Sequence, residues 1–557
     1  MRKPPSVPSA WAGATLAAFL LLTACSGAAG VASSADDHAP ATVTATAFQP
    51  APPSPTPAVR RLWLSPSVPA KLAAGMRQAS VGLDPTVELV PAEAQADLRL
   101  VPGGTAPVAE WIYAVAAPFP TVRDSIGLEE LRSLWRSQDP AQPPIYATNA
   151  TILVMKDLLG DPGTNVRRSE DPAAMVEAAW QARPSLAILP FEDLEPRWKV
   201  LELDGQSPIH KDFDSSAYPL RVTFGLEGGD VPTNLGRALE LAQGMALPLA
   251  NRRSDRLTTV AMTGVTALTR ATAWEMNHTG VTRPARDIGD WLRTADITHI
   301  SHEVAFTPDC PPPTANLTAL VFCAQPAHIG LLEDVGTDVI ELTGNHVLDA
   351  GEQALLYTLD LYRSKGWRWF GGGENLEDAR KPVLIEHNGN KIAFIGCNEA
   401  GPPGAWATAD RPGANPCAPD RLVDQVRGLR QDGYLPIFTF QWNEYYQPNP
   451  SGSQEEAFLA EAAAGAVAVS GSQAHQPQGF AFADGAFIHY GLGNLFFDQM
   501  WSEQVRQEFV DRYVFHDGRL ISVELLTAYL EDWSRPRPMT PDERAAFLQG
   551  MFQASGW

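Results

Sequence analysis

Short apolar runs alternate with segments of helical periodicity along most of the chain. Strand-like runs rich in aliphatic and aromatic residues occupy positions 109–115, 185–190, 257–262, 339–342, 391–396, 435–440, 466–470 and 486–490. Helical patterns lie between several of them, at 127–135, 173–182 and 353–365. An alternation of this kind predicts an α/β fold.

The pattern divides the chain near residues 228–258. The 557 residues are too many for one compact core and fit two or more domains. We predict a smaller α/β domain over 61–240, a larger one over 255–535 and a C-terminal helix over 536–557. The segment Thr540-Pro541-Asp542-Glu543 predicts a capped start for that helix.

The amino terminus carries a targeting signal. A basic start is followed by an apolar stretch over 11–22 and by Leu22-Thr23-Ala24-Cys25, which resembles a bacterial lipobox more than a plain secretory signal. The resemblance implies that residues 1–25 are the signal, that Cys25 is lipidated, and that the protein is anchored on the extracytoplasmic face of the cell membrane. The alternatives are a cleaved signal with an incidental cysteine and an uncleaved anchor.

Residues 26–60 have a composition unlike the rest of the chain. They are rich in Ala, Ser, Thr and Pro and carry almost no large apolar residues. We predict a disordered tether, which extends by about 3 Å per residue where it is proline-rich. No later segment is long and apolar enough to span a bilayer.

The chain carries a formal net charge of -22. The summed field of such a protein repels polyanions, which argues against nucleic acid or anionic lipid headgroups as partners. An anionic polymer could bind only where a local basic pocket overrides this field.

Four cysteines follow Cys25 in the chain, namely Cys310, Cys323, Cys397 and Cys417. An even number in an oxidising compartment predicts two disulfides, for which three pairings exist. We expect Cys310 to pair with Cys323 and Cys397 with Cys417, because sequential pairing closes short loops that each stabilise by about 3 kcal/mol in the chain-entropy model. No closely spaced cysteine pair of the zinc-knuckle type is present.

Polar residues cluster directly after four of the predicted strands. The clusters are Thr263-Gly264, Thr343-Gly344-Asn345-His346, Gln441-Trp442-Asn443-Glu444 and Gly471-Ser472-Gln473-Ala474-His475. Sites in open α/β sheets form at the carboxyl ends of strands. We therefore expect these four loops to converge on one place.

The segment 344–351, Gly-Asn-His-Val-Leu-Asp-Ala-Gly, is similar to the Asn-Asn-His-x-x-Asp-x-Gly signature of the CapA capsule-synthesis family, which is linked to poly-γ-glutamate. Further family motifs follow in order, at 370–375, 379–382, Glu444-Tyr445, Gln454 and 490–499. The resemblance covers about residues 258–500. It implies a calcineurin-like metallophosphatase fold, a four-layer αββα sandwich.

The first part of the chain carries a different resemblance. Phe119-Pro120-Thr121, the segment 128–135 and Tyr218-Pro219-Leu220 follow one another in an order similar to that of type-2 periplasmic solute-binding proteins of the phosphate-binding kind. The resemblance covers roughly residues 60–240 and implies a small solute-binding-like domain. This domain either binds a ligand or keeps the fold as a scaffold.

The CapA resemblance implies a set of site residues. It gives catalytic roles to Asn345, His346 and Glu303, and it gives a metal shell of His346, His475, Glu303 and His302. Each has a structural alternative: His346 would hold its loop, His475 would be a hydrogen-bonded core histidine, and Glu303 would be a solvated or helix-capping carboxylate. Asp349 is expected to cap the helix that begins near Gly351.

The chain also departs from the family pattern. Gly264-Val265 stands where the family has Gly-Asp, and Gln441 and Gln473 each stand where it has histidine. Because Val265 cannot ligate and amides compensate charge poorly, a two-metal centre is disfavoured. What remains predicts either one divalent ion, manganese, zinc or iron, or a polar pocket without metal.

Substrate contacts are predicted for five residues, namely Gln441, Glu444, Tyr445, Gln473 and Asn494. Neighbouring aromatic residues would form a stacking wall or belong to the core. One hypothesis is an enzyme that performs metal-assisted hydrolysis or transfer on an envelope polymer such as poly-γ-glutamate. Its rival is a non-catalytic lipoprotein that binds an anionic envelope polymer, a solute or the export machinery, and the sequence leaves this choice open.

Overall fold

The computed structural model describes residues 59–82, 87–228 and 249–557. The predicted signal, Cys25 and nearly all of the predicted tether lie outside these residues. The described residues belong to one compact unit. None of the helices in these ranges is long and apolar enough to cross a membrane.

A ten-stranded sheet, the first sheet, organises the chain up to residue 228. Its strands are β1 (Arg60–Leu64), β2 (Val87–Leu89), β3 (Leu98–Pro102), β4 (Ala106–Pro118), β5 (Ser125–Ile126), β6 (Ile145–Ala147), β7 (Val166–Arg168), β8 (Leu186–Pro190), β9 (Trp198–Leu203) and β10 (Arg221–Gly228). The order is β2-β1-β3-β10-β4-β8-β6-β7, and β9 pairs with β4 and β5. Four helices accompany it, α1 (Ala70–Gly82), α2 (Leu128–Trp135), α3 (Asn149–Leu159) and α4 (Pro172–Gln181).

The second sheet has nine strands. They are β11 (Leu257–Thr263), β12 (Val265–Thr266), β13 (Ile297–His302), β14 (Val339–Glu341), β15 (Arg368–Phe370), β24 (Asn494–Phe496), β25 (Gln507–His516), β26 (Arg519–Glu531) and β27 (Arg535–Pro538). The order is β15-β14-β13-β11-β25-β26-β27, and β12 pairs with β13 and β24. The strands from β11 to β15 on this path run parallel, whereas β25, β26 and β27 are antiparallel.

The third sheet has six strands in the order β17-β18-β20-β21-β23-β22. They are β17 (Val383–His387), β18 (Asn390–Asn398), β20 (Leu435–Gln441), β21 (Ala468–Ser472), β22 (Pro477–Ala483) and β23 (Ala486–Leu492). A separate two-stranded ribbon joins β16 (Gly372–Gly373) to β19 (Gly413–Ala414). The central strands β18, β20, β21 and β23 are parallel, so their carboxyl ends lie at one edge.

The helices of this region lie in the connections between strands. They are α5 (Arg270–Thr279), α6 (Gly289–Arg293), α7 (Ile329–Asp334), α8 (Glu352–Lys365), α9 (Leu376–Ala379), α10 (Pro419–Gln431), α11 (Gly452–Ala464), α12 (Glu503–Arg506) and α13 (Pro541–Ala554). Helix α13 begins as predicted, because Thr540 and Glu543 form a reciprocal capping box.

The second and third sheets pack face to face. An apolar core between them combines Met262 and Phe509 of the second sheet with Phe394 and Phe487 of the third. Helices α5, α7 and α8 share a core with the opposite face of the second sheet. Helices α10 and α11 do the same for the third. Successive side chains of a strand point to opposite faces of its sheet, so each of these two sheets contributes to the core between them and to a core on its outer face.

The predicted α/β fold is confirmed, and both disulfides pair as expected, Cys310 with Cys323 and Cys397 with Cys417. The predicted boundary near residues 228–258 falls partly on residues 229–248, which are not among those described.

Candidate functional site

The loops that follow β13, β14, β20 and β21 meet at one edge of the two facing sheets. Polar side chains at these strand ends and in the loops are linked by hydrogen bonds. Those of Glu303, Gln441, Ser472 and Gln473 are buried, and that of Asn345 is half-buried. The expected convergence of the loops after β14, β20 and β21 is thus present. We call this group the amide cluster.

Gln441 lies at the centre of the amide cluster. Its side-chain nitrogen donates to Oε2 of Glu303 at 3.3 Å and to Oδ1 of Asn345 at 3.2 Å, and it contacts Oε1 of Gln473 at short range. An amide group carries two hydrogens, yet three oxygens surround this one. Gln441 is fully buried, so the positive end of its amide dipole neutralises part of the Glu303 charge.

The rest of the cluster fixes the orientation of Gln441. The hydroxyl of Ser472 donates to Oε1 of Gln441, and the carboxylate of Glu303, which accepts, faces the side-chain nitrogen. The amide nitrogen of Gln473 lies 3.5 Å from Oε1 of Glu444, and half of the Glu444 side chain is exposed. The cluster therefore extends from a buried centre to the solvent.

His475 lies beside the cluster, and a hydrogen bond to Asn494 fixes the orientation of its ring. Its Nδ1 lies 2.9 Å from Oδ1 of Asn494, whose own nitrogen donates to the carbonyls of His475 and Val505. The Asn494 oxygen can only accept, so Nδ1 of His475 carries the proton. The other ring nitrogen, Nε2, faces Glu444 at 3.8 Å.

His346 is held in the same way by a carboxylate. Its Nδ1 donates to Oδ2 of Asp349 at 2.6 Å. Burial lowers the pKa of His346, but the hydrogen bond to Asp349 and the charge of Glu303 outweigh this effect, and the pKa is raised above 6.5. The ring packs against Phe322, with centroids 4.1 Å apart.

The expectation for Asp349 was wrong. Helix α8 has Gly351 at its N-cap and no side-chain cap there. Asp349 instead accepts from His346 and from the backbone nitrogen of Phe322, because its carboxylate points back toward the loop.

An arginine and two phenylalanines form one wall of the site. The Arg270 guanidinium lies over the rings of Phe322 and Phe497 at 4.8 and 5.0 Å, a cation–π arrangement. It also forms two hydrogen bonds to the buried carboxylate of Asp498. Phe497 in turn lies 5.5 Å from His475, so this wall contacts both histidines of the site.

His302 is separated from this group. Its Nδ1 bonds to the Tyr362 hydroxyl at 2.8 Å, and its ring stacks on Phe306. Burial lowers the pKa of His302 to about 3. The side chain is therefore a neutral core histidine between the second sheet and α8, although Glu303, the next residue, belongs to the amide cluster.

The aromatic residues after β20 have divided roles. Trp442 is buried against Phe440 and Phe458 and belongs to the core. Tyr445 is 39% exposed, and Tyr446 packs edge-on against the exposed Trp501. Tyr445 and Tyr446 directly follow Glu444 in the chain, and the Tyr446 hydroxyl lies 3.4 Å from Oε2 of Glu444.

The backbone of the β21 loop is strained at two positions. Gln473 and His475 have φ angles of 81° and 56°, which non-glycine residues adopt at a cost of about 1–3 kcal/mol. A Cβ atom at Gly344 would lie 2.4 Å from that of Glu303, so glycine is required where the β14 loop passes. These features bring the loops close enough for side-chain contact.

These residues do not fit a two-metal centre. Zinc needs donor atoms at about 2.0–2.2 Å, whereas the space between Glu303, Asn345 and Gln473 holds the Gln441 nitrogen. The described residues contain no group of three or more His, Cys, Asp and Glu side chains that could hold a metal. The predicted set of His346, His475, Glu303 and His302 is thus not gathered into one shell.

Sequence reasoning missed Arg270, Phe322 and Phe497. Two signals were present: Arg270 comes shortly after the Thr263-Gly264 loop, and Phe322 precedes a cysteine of a predicted disulfide. A short disulfide loop fixes its neighbours in space, and this makes them candidates for a site wall.

Comparison with known proteins places this site within a matched segment. Residues 259–499 match the family model described as bacterial capsule synthesis protein PGA_cap. The capsule biosynthesis protein CapA of Bacillus anthracis is 26% identical over 299 residues, which cover 53% of this chain and 72% of that protein. The PGA biosynthesis protein CapA of Bacillus subtilis is 26% identical over 191 residues, 34% of this chain and half of that protein. Among solved structures, the NAD nucleotidase of Haemophilus influenzae is similar at 12% identity with a TM-score of 0.32, over 53% of this chain and 56% of that one.

Proposed function

Because residues 259–499 match the family model of bacterial capsule synthesis proteins and are similar to CapA relatives, we propose that this protein acts on an envelope polymer such as poly-γ-glutamate, and that it binds the polymer rather than cleaving it. By the same family resemblance, the facing sheets with helices outside them would be a calcineurin-like αββα sandwich. The predicted lipid on Cys25 would hold the protein on the extracytoplasmic face of the membrane.

One observation carries the binding proposal: the amide nitrogen of Gln441 lies among three oxygens where a cation would otherwise be held. A hydrolase of the two-metal type needs charged or imidazole ligands that turn water into hydroxide at neutral pH. A neutral amide supplies neither the charge nor the open coordination position. The cluster can still orient polar groups of a bound chain.

The solvent side of the site suits a polymer with carboxylate groups. His346 is one-fifth exposed, and its raised pKa keeps more of it cationic near neutral pH. Its Nδ1 is taken by Asp349, so Nε2 is the nitrogen available to a carboxylate. Tyr445, which directly follows Glu444 in the chain, offers an exposed ring. This local cation would act against the repulsion expected from the net charge.

Binding and cleavage can be separated in one experiment. The full chain is incubated with size-defined poly-γ-glutamate, with and without Mn²⁺, Zn²⁺ or Fe²⁺, and polymer affinity, polymer length and bound metal are measured. We expect saturable binding, unchanged polymer length and substoichiometric metal. Shortened polymer together with bound metal would overturn the proposal.

Three variants identify the site that binds. His346→Ala and His475→Ala should weaken polymer binding about tenfold, the effect of losing roughly 1.4 kcal/mol. His278→Ala is the matched control, because His278 is an exposed histidine on α5 that stacks only on Trp274. Equal affinity in all three variants would place binding elsewhere.

A second candidate is metal-dependent hydrolysis at a single ion. One observation favours it: His346 and His475 both engage Nδ1 in hydrogen bonds and leave Nε2 open, the arrangement found in metal-bound histidines. A bound ion there would polarise a substrate carbonyl. One equivalent of metal in the wild type, lost in both alanine variants, would support this candidate.

A further inference from the structure

A cavity of about 350 Å³ lies away from the amide cluster, between the first sheet and the end of the chain. One side is formed by β9 and the segment around His210, and the other by β26 and α13. Strand β26 pairs with β27 over Ala528–Glu531. Its preceding residues face this cavity, and there Arg544 and the backbone nitrogen of Met539 donate to the carbonyls of Leu525 and Thr527. The volume is within the range of small-molecule pockets, about 300–1,000 Å³.

Charged side chains in the cavity wall form two groups. Lys199 and Arg544 both bind Asp124, at 2.7 and 2.9 Å. His210 and Arg512 both bind Glu524, at 2.7 and 3.4 Å. Glu202 is the remaining carboxylate of the lining, so four basic side chains face three acidic ones. With His210 protonated, the wall has a positive balance inside a protein with a net charge of -22.

Burial in the cavity wall disfavours the charged forms of Lys199 and His210. Burial lowers the pKa of Lys199 to about 8 despite its contact with Asp124. Burial also lowers the pKa of His210, but the bond to Glu524 raises it above its ordinary value overall. An additional negative charge in the cavity would stabilise both cations.

Ser522 supplies an unused hydrogen-bond donor. It is 1% exposed, and its hydroxyl has no hydrogen-bond partner among the described residues. Arg512 pairs with Glu524 across β25 and β26, and Ser522 is two residues from Glu524 on the same strand. The hydroxyl, the guanidinium and the imidazole of His210 therefore lie on the same side of the strand pair. Among the described residues, the Arg512 guanidinium makes one side-chain hydrogen bond, to Glu524 at 3.4 Å.

Much of the remaining wall of the cavity is apolar. Leu548 and Phe552 line it from α13, Met539 lines it from just before that helix, and Phe119 lines it from the position after β4. A second cavity of about 410 Å³ shares His210 and Arg512 with the first. His210 and Arg512 thus lie where the two cavities meet, and the apolar side chains line the first cavity beyond them.

We propose that this cavity is a second binding site, which takes a small organic carboxylate with an apolar chain. The carboxylate accepts hydrogen bonds from Ser522 and Arg512, and the chain lies against Met539, Leu548 and Phe552. The site joins the first sheet to the second, so the ligand would stabilise their contact. The inference does not depend on the amide cluster or on polymer binding.

Three probes test the proposal on the full chain by calorimetric titration and thermal unfolding. Sodium octanoate has both the charge and the chain, sodium acetate has the charge alone, and 1-octanol has the chain alone. We expect octanoate to bind at one site and raise Tm, and to bind at least about tenfold more tightly than either other probe. Absence of octanoate binding, or equal binding of 1-octanol, would overturn the proposal.

Two variants locate the carboxylate. Ser522→Ala should leave Tm of the free protein unchanged, because the hydroxyl has no partner, while octanoate affinity falls about tenfold. Arg512→Met should also weaken octanoate binding, with Arg427→Met on the exposed face of α10 as its control. Since Ser522→Ala removes no hydrogen bond seen among the described residues, unchanged affinity in this variant would refute the assigned carboxylate position and the proposal with it.

Discussion

At the scale of single residues, the chemistry of the site depends on which atom each side chain presents. The sequence identified Gln441 and Gln473 as replacements for histidine, but it could not show that the two amides contact each other. That contact depends on rotamers and on the left-handed backbone at Gln473. The same limit explains Asp349, whose spacing from Gly351 suits a cap but whose carboxylate is bound by His346.

The contact between His346 and Asp349 predicts that removing the Asp349 charge shifts the pKa of His346 measurably. Asp349→Asn keeps an acceptor for the backbone of Phe322 but removes the negative charge, so the pKa of His346 should fall toward or below its ordinary value. An NMR pH titration of the imidazole would measure it. Asp360→Asn on the exposed face of α8 is the control and should leave the titration unchanged. An unaltered pKa in Asp349→Asn would show that Asp349 does not set the charge of His346.

Because His302 is buried and neutral, we expect the stability of the folded protein to fall in acid. Its pKa is about 3 in the folded protein and about 6.5 when unfolded. Between these values the unfolded chain binds a proton that the folded chain does not, so stability is lost as the pH falls below 6.5. From pH 6.5 to 4.5 the wild type should lose about 2–3 kcal/mol more than His302→Gln. Urea unfolding at both pH values measures this difference, and equal losses would contradict the prediction.

At the scale of elements, the site is built by strands that end at one edge. The apolar periodicity of the chain predicted β11, β14, β18, β20, β21 and β23 and the helices α2, α4, α8 and α13. Parallel strands with polar loops then predicted where side chains would meet. The pattern could not predict the wall around Arg270, because its contacts to Leu317 and Ala319 arise from the loop closed by Cys310 and Cys323. Loop conformation depends on such cross-links rather than on periodicity.

The convergence of the β20 and β21 loops predicts that metal binding can be introduced. The double variant Gln441→His with Gln473→His removes the amide nitrogen from the cluster and places two imidazoles beside Glu303 and Asn345. Four nitrogen and oxygen donors suit zinc. We expect about one equivalent of Zn²⁺ by mass spectrometry in the double variant and less in the wild type.

A control shows whether the position of these histidines matters. The exposed pair Gln431→His with Gln447→His adds the same number of imidazoles outside the cluster, and it should bind no additional zinc. If the cluster variant also bound none, the oxygens around Gln441 would not form a metal-competent set. That result would weaken the view that Gln441 stands in for a cation.

At the scale of the whole molecule, the two predicted regions share their cores. Leu257, Val514 and Ile521 belong to the same apolar cluster as the first sheet, and Phe119 of the first region is buried in the core between the second and third sheets. Sequence patterns indicate which face of an element is apolar, but not which other element covers it. The pattern of strands and helices around residues 228–258 therefore predicted two regions without predicting how closely they pack.

Phe119 makes this shared core testable. Its ring lies within 6.2 Å of those of Phe482, Phe487 and Phe552, so Phe119→Ala removes a fully enclosed aromatic side chain and should cost about 3–5 kcal/mol. If the regions unfold together, this variant and Phe224→Ala, which lies in the core of the first sheet, should both shift one common transition. Urea unfolding followed by tryptophan fluorescence and by far-UV circular dichroism would give coincident curves. Two separate transitions, of which Phe224→Ala shifts only one, would mean that the contact around Phe119 does not couple the regions, and a ligand in the cavity beside it would then stabilise a weak interface rather than one cooperative fold.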